Sequence, residues 1–142
     1  MKNVISFNRL IVFFLSIGLL ILSFEVYLQH FDQLGQRKIM WLPIFFGLVG
    51  GLLGLLVLIL FNKSSYYLFI CLMVASCFIG TLGLYLHNKW RFHHFQQLLS
   101  NSSEFNFEIL TTYTPLLAPS AFVAIGMLGL LVTIYYRWGD RK

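Results

Sequence analysis

The sequence is short of charge. Asp, Glu, Lys and Arg make up 11% of its 142 residues, where a soluble domain carries about 25%. Hydrophobic residues take up 58%, with Phe contributing 15, and mean hydropathy is +0.79. That balance excludes an ordinary water-soluble domain and points to a single integral membrane domain covering 1–142. Cysteine is scarce as well. Cys71 and Cys77 stand six apart inside an apolar run, which excludes a C-x-x-C redox pair and leaves them as small packing residues. Catalytic signatures are missing: the chain has no Ser/His/Asp arrangement, P-loop, dinucleotide fingerprint or EF-hand pattern. The basic excess, net +5, is scattered at segment ends. That is a membrane-topology signature rather than a nucleic-acid footprint, so no nucleic-acid partner is expected.

Four apolar stretches fill most of the chain, at about 10–27, 40–61, 66–86 and 119–136. Each approaches the roughly 20 helical residues that cross a bilayer. Period-2 polar alternation is lacking, which excludes a membrane β-barrel. The expected fold is therefore all-α, a four-helix transmembrane bundle in a lipid bilayer. The first stretch follows Lys2 and Arg9 like a signal peptide, but Phe24-Glu25-Val26-Tyr27 offers no small-x-small cleavage site. It is read as a retained signal anchor. With four spans, both termini and the 62–65 turn share one side with Lys2, Arg9, Lys63, Arg137, Arg141 and Lys142. The other side holds Arg37, Lys38, Lys89 and Arg91, together with Glu25, Asp32, Glu104 and Glu108. The first side, with Asp140, sums to +5 and the second to zero. The positive-inside rule then places both termini in the cytoplasm of a bacterial inner-membrane protein. All four histidines, His30, His87, His93 and His94, fall on the outer side.

Lipid removes the hydrophobic drive between helices, so close packing must replace it. The second span carries Gly47, Gly50, Gly51 and Gly54, two overlapping small-xxx-small pairs. The third has Ala75, Ser76, Gly80 and Gly83, and the fourth Ala121, Ala124, Gly126 and Gly129. Two readings stay open for the glycine face of the second span: packing within the chain, or docking of a partner subunit. Aromatic residues such as Tyr27, Trp41, Tyr66, Tyr67, Tyr85, Trp90, Tyr113, Tyr135, Tyr136 and Trp138 gather at span ends as an interfacial belt. Phe105 and Phe107 are expected at the headgroup level. Pro43 suits the first turn of the second span. Pro115 and Pro119 predict an extended or re-entrant lead-in over 115–118, with Pro119 opening the regular fourth helix.

Glu25 is the only acid inside a span, about one turn from its outer end. An intramembrane carboxylate is a functional candidate by default. His30, Arg37, His87, Lys89 and Arg91 are its expected partners, at the same level. The stretch LYLHNKWRFHHF, residues 84–95, holds three of the four histidines. Continued as a helix, it places Phe92, Phe95, Leu98 and Leu99 on one side and Lys89, His93, His94, Gln96 and Gln97 on the other. That pattern predicts a short amphipathic helix lying in the outer interface, ending at the Ser100-Asn101-Ser102-Ser103 breaker. His87 and His94 share its face, but seven residues rise about 10.5 Å, too far for one metal ion with bonds of about 2 Å. His93 and His94 diverge by about 100° on a helix. A site would need His87 with Glu25 or His30. No cofactor is expected by default. A metal held by Glu25, His30 and His87, or a haem held by His30 and His87, is the ligand-bearing alternative.

Two segments carry a resemblance. One is Glu25-x4-His30 followed by Arg37-x2-Met40-Trp41-x-Pro43. The other is Gly83-x-Tyr85-x-His87 followed by Pro115-Leu116-Leu117-Ala118-Pro119-x2-Phe122 and Gly126-x2-Gly129. The chain resembles small uncharacterised bacterial inner-membrane proteins of four spans. Those have a Glu- and His-rich first outer loop, a histidine closing the third span and a G-P-P-L-x-A-P-x-x-F approach to the fourth. The likeness covers about residues 20–130, and departs at the G-P-P step, where this chain reads Tyr113-Thr114-Pro115. It implies no activity, only that Glu25, His30, His87 and the 115–119 segment form one outer-leaflet feature. Three function classes follow. The leading one is a non-catalytic accessory or assembly subunit of a larger membrane complex, partnered by other membrane subunits or by itself. The second is a redox-, metal- or haem-linked protein using Glu25, His30 and His87, with Arg91 nearby. The third is a small transporter acting as an oligomer, opposed by the apolar inner half of the bundle.

Overall fold

A computed structural model of the chain describes residues 2–60, 62–101 and 117–139, with side chains for 9–60, 62–89 and 118–134. Four α-helices occupy them: α1 Lys2–His30, α2 Trp41–Leu60, α3 Lys63–Asn101 and α4 Leu117–Gly139. Two short 3-10 turns, Phe31–Gln33 and Lys38–Met40, lead from α1 into α2. No strand occurs among the described residues. Three helical segments, Arg9–Gln33, Lys38–Leu60 and Lys63–Lys89, are long and apolar enough to cross a membrane. The apolar stretch described in α4, Ala118–Ile134, is shorter. Many large apolar side chains lie on the surface, among them Phe14, Phe24, Ile59, Phe78 and Leu131. An apolar surface of that extent suits lipid and not water.

The helices associate as two antiparallel pairs, α1 with α2 and α3 with α4, joined by thinner α1–α4 and α2–α3 contacts. Glycine explains the tightness of each pair. A Cβ at Gly47 would lie 2.8 Å from the Leu19 carbonyl oxygen, and one at Gly51 2.9 Å from that of Ser16. At Gly54 it would strike the Ser16 side chain. In the second pair, a Cβ at Gly80 would lie 2.6 Å from the Pro119 carbonyl oxygen, and one at Gly126 2.6 Å from that of Met73. At Gly129 it would run into Met73. Gly83 is looser, 3.2 Å from Pro119 Cβ. The glycine face of α2 is thus filled by α1 of the same chain.

Hydroxyls secure the close approaches. Ser23 Oγ donates to the Ile44 carbonyl at 2.6 Å, linking α1 to α2. Ser76 Oγ donates to the Phe122 carbonyl at 2.7 Å and Tyr66 Oη to the Thr133 carbonyl at 3.1 Å, linking α3 to α4. In a medium with no competing water such bonds contribute about 0.6 to 2 kcal/mol each. Between the pairs, Leu19, Met73 and Phe122 are almost fully buried, and the Phe46 and Phe122 rings meet at 6.1 Å between α2 and α4.

The turn at 62–65 starts α3 with a reciprocal cap. Ser65 N–H donates to Asn62 Oδ1 at 2.9 Å, Asn62 N–H to Ser65 Oγ at 2.7 Å, and Ser65 Oγ–H to the Asn62 carbonyl at 2.7 Å. It is a capping box with Ser in the place of the usual Glu or Gln.

Two boundaries differ from the sequence reading. The separate amphipathic helix expected after the third span is instead an unbroken continuation of α3 to Asn101. No Gly or Pro lies between Leu84 and Asn101, so nothing interrupts the backbone ladder or bends it. The fourth helix begins at Leu117 rather than at Pro119. Pro119 is then its third residue, where the N–H would have no intrahelical acceptor and its absence costs nothing. The side chains of Arg91, His93 and His94 and the 102–116 segment, with Phe105, Phe107 and Pro115, lie outside the described residues.

Candidate functional site

Polar side chains are rare along the helices, and the informative ones lie at a single end. α1 and α3 both run toward it, and α1 finishes there at His30. Ser23 and Gly47 register α1 against α2, and Gly18, whose Cβ would lie 3.0 Å from Ile125 Cδ1, registers α1 against α4. Ser76 against Phe122 registers α4 against α3. Following those registers, His30 and His87 come to the same level. Their rings do meet: the centroids are 5.8 Å apart with planes inclined at 55°. Two residues separated by 57 positions in the sequence are thereby brought into contact across the two helical pairs.

The His30 ring is fixed by a backbone bond. Its Nδ1 lies 3.0 Å from the Val26 carbonyl oxygen, one turn back along α1. A carbonyl only accepts, so Nδ1–H is the donor, which leaves Nε2 as the nitrogen open to a ligand. Both histidines are half-buried, so the pair stands at the edge of the packed helices and not within them.

Glu25 does not join them. Its Oε1 accepts from Gln29 Nε2 at 3.0 Å, one turn on along the same helix face. None of the expected basic partners takes that place among the described residues, and Arg37 and Lys89 are exposed. Glu25 lies five residues back from His30, a rise of about 7.5 Å, and is bonded within its own helix. Gln29 was overlooked, although Glu25-x3-Gln29 has the spacing at which helical side chains meet. Ser16 and Ser23, which line the α1 side of the glycine contacts, were also overlooked. Their signal was two small polar residues one heptad apart in an otherwise bulky span.

Among the described residues, no group of three or more His, Cys, Asp or Glu side chains is placed to hold a metal ion. A three-donor catalytic site or a four-donor structural site is thus not assembled from them. The three-residue set Glu25, His30 and His87 reduces to the two histidines. Cys71 and Cys77 are free thiols; Cys71 is exposed, and Cys77 packs on α4 with its thiol 3.8 Å from the Val123 carbonyl. No protein-family model, curated protein or solved structure matches this chain.

Proposed function

We propose that the chain is a non-catalytic, multi-pass protein of the bacterial cytoplasmic membrane that serves as an accessory or assembly subunit of a larger membrane complex. Its helices form a four-helix transmembrane bundle with both termini in the cytoplasm, as the distribution of Lys and Arg favours. The 23 residues of α4 extend about 34 Å, enough to cross once the ends of its shorter apolar stretch are counted. The helix faces lined by glycine are occupied within the chain.

The observation that carries the reading is the length of α3. Its 39 residues extend about 58 Å, against about 30 Å of hydrocarbon. Residues 90–101 therefore continue as helix for about 18 Å beyond the apolar segment Lys63–Lys89. A helix that extends this far past the apolar segment offers an addressable element on the outer side to another subunit.

The test is native electrophoresis and affinity isolation of the tagged full chain in mild detergent. The expected result is a defined heteromeric membrane assembly. Gln96→Pro, which breaks the helix through its backbone at a cost of about 3 kcal/mol, is expected to release the partner while the chain remains folded. A solitary stable monomer, or an assembly indifferent to Gln96→Pro, contradicts the reading.

A further inference from the structure

We propose that His30 and His87 form a two-histidine site for a first-row divalent transition-metal cation, with Zn²⁺ as its probe, that ties the α1–α2 pair to the α3–α4 pair. This goes beyond the accessory-subunit reading and does not depend on it.

The first argument is geometric. An imidazole nitrogen binds zinc at about 2.0–2.1 Å and the ring centre lies about 1.1 Å behind it, so each centroid would sit about 3.2 Å from the ion. With angles of about 109–130° at the metal, the two centroids are then about 5.2–5.8 Å apart. The observed separation is 5.8 Å with the planes inclined at 55°. The observed separation falls within the range that a shared ion allows.

The second argument is the state of the His30 ring. Metal-binding histidines characteristically donate their other N–H to a carboxylate or backbone carbonyl, which fixes the tautomer and the ring orientation. His30 does this with the Val26 carbonyl. Neutral imidazole is the commonest protein ligand for ions of this class.

The third argument is position. α1 packs directly on α2 and α4, and α3 on α4 and α2, so a bond from His30 to His87 closes the remaining diagonal at the open end of the helices. Glu25 is five residues back along α1, a rise of about 7.5 Å, and is engaged by Gln29. With two protein donors among the described residues, the ion keeps positions for water or a further donor, which suits an exchangeable metal rather than a permanent structural one.

The test uses the full-length protein, purified in detergent, stripped of metal and titrated with Zn²⁺ alone. One Zn²⁺ per chain is expected, with a rise of several degrees in the unfolding midpoint that follows from binding to the folded state only. His30→Ala and His87→Ala are each expected to weaken binding at least tenfold, the loss that removal of even an outer partner of a metal ligand produces, and to abolish the rise. His87→Cys, which keeps a zinc donor but loses the ring contact, is expected to retain binding. With Cu²⁺, electron paramagnetic resonance is expected to show two coordinating imidazoles in the native chain and one in either alanine variant. No Zn²⁺ binding below millimolar concentration, binding unchanged in both alanine variants, or a single imidazole on Cu²⁺ in the native chain would each overturn the proposal. Should His30→Ala fail to fold, His87→Cys and the copper spectrum of the native chain still decide it.

Discussion

Gly126→Ala and Gly80→Ala are each expected to lower stability by about 1–3 kcal/mol, whereas Gly50→Ala is expected to be neutral or to raise it by up to about 1 kcal/mol. Two effects compete at every such site. Alanine is the better helix former by roughly 1 kcal/mol, and its methyl group must find room. At Gly126 the methyl carbon would lie 2.5 Å from Cys77 Sγ, 2.6 Å from the Met73 carbonyl oxygen and 2.8 Å from Cys77 N. At Gly80 it would lie 2.6 Å from the Pro119 carbonyl oxygen and 2.7 Å from Val123 N. Backbone atoms cannot rotate out of the way, so α3 and α4 must separate, and the Ser76 bond to the Phe122 carbonyl stretches with them. At Gly50 the nearest atoms are side-chain carbons, Leu19 Cδ1 at 3.6 Å and Phe46 Cζ at 3.7 Å, an ordinary contact. The helix preference then decides the sign. Midpoints of thermal or detergent-induced unfolding measure the difference; three equal shifts would mean that α3 and α4 are not this close.

Phe122→Ala is expected to cost about 2–3 kcal/mol. Core Phe→Ala changes in soluble proteins cost about 3–5 kcal/mol, part of which is the transfer of the ring out of water. Lipid is as apolar as the interior, so that part falls away in a membrane and the lost packing remains. Phe122 is 1% exposed and meets Phe46 at the junction of the two helical pairs. Phe78 is the control, on the same apolar composition but 69% exposed; Phe78→Ala is expected to fall within about 0.5 kcal/mol of the native chain. Equal losses at the two positions would contradict the arrangement of α4 against α2.

Much of this was legible in the residues. Hydropathy located α2 and the starts of α3 and α4 within a few positions, since a long apolar run has few other structures available to it, but not the start of α1 at Lys2 or the end of α3 at Asn101. The glycines of α2, α3 and α4 marked the contact faces, because small side chains three or four apart must lie on one stripe. What resisted was anything that depends on rotation of one helix against another. Depth is a matter of counting residues and brought His30 and His87 to similar levels. Azimuth depends on how Ser16 and Ser23 seat against the α2 glycines and Gly18 against Ile125, and that is decided by packing among four helices at once. Glu25 was accordingly assigned to distant basic partners when its own helix supplied Gln29. The course of α3 after Leu86 resisted for a different reason: one amphipathic period describes both a helix lying on a membrane and one continuing out of it.

The contact of His30 with His87 is the claim on which the candidate site rests, and cross-linking tests it most directly. In full-length protein with Cys71 and Cys77 replaced by Ala, cysteines are placed at 30 and 87, and a short bifunctional maleimide is applied in native membranes. Cysteines at 23 and 47, where Ser23 Cβ would lie 2.8 Å from a Cβ at Gly47, are too tightly packed to serve as a control; 25 and 87 are used instead. The account predicts efficient cross-linking of 30 to 87 within one chain and little of 25 to 87. Cross-linking of 25 to 87 in preference to 30 to 87, or of neither while both single cysteines react with a monofunctional maleimide, would contradict it.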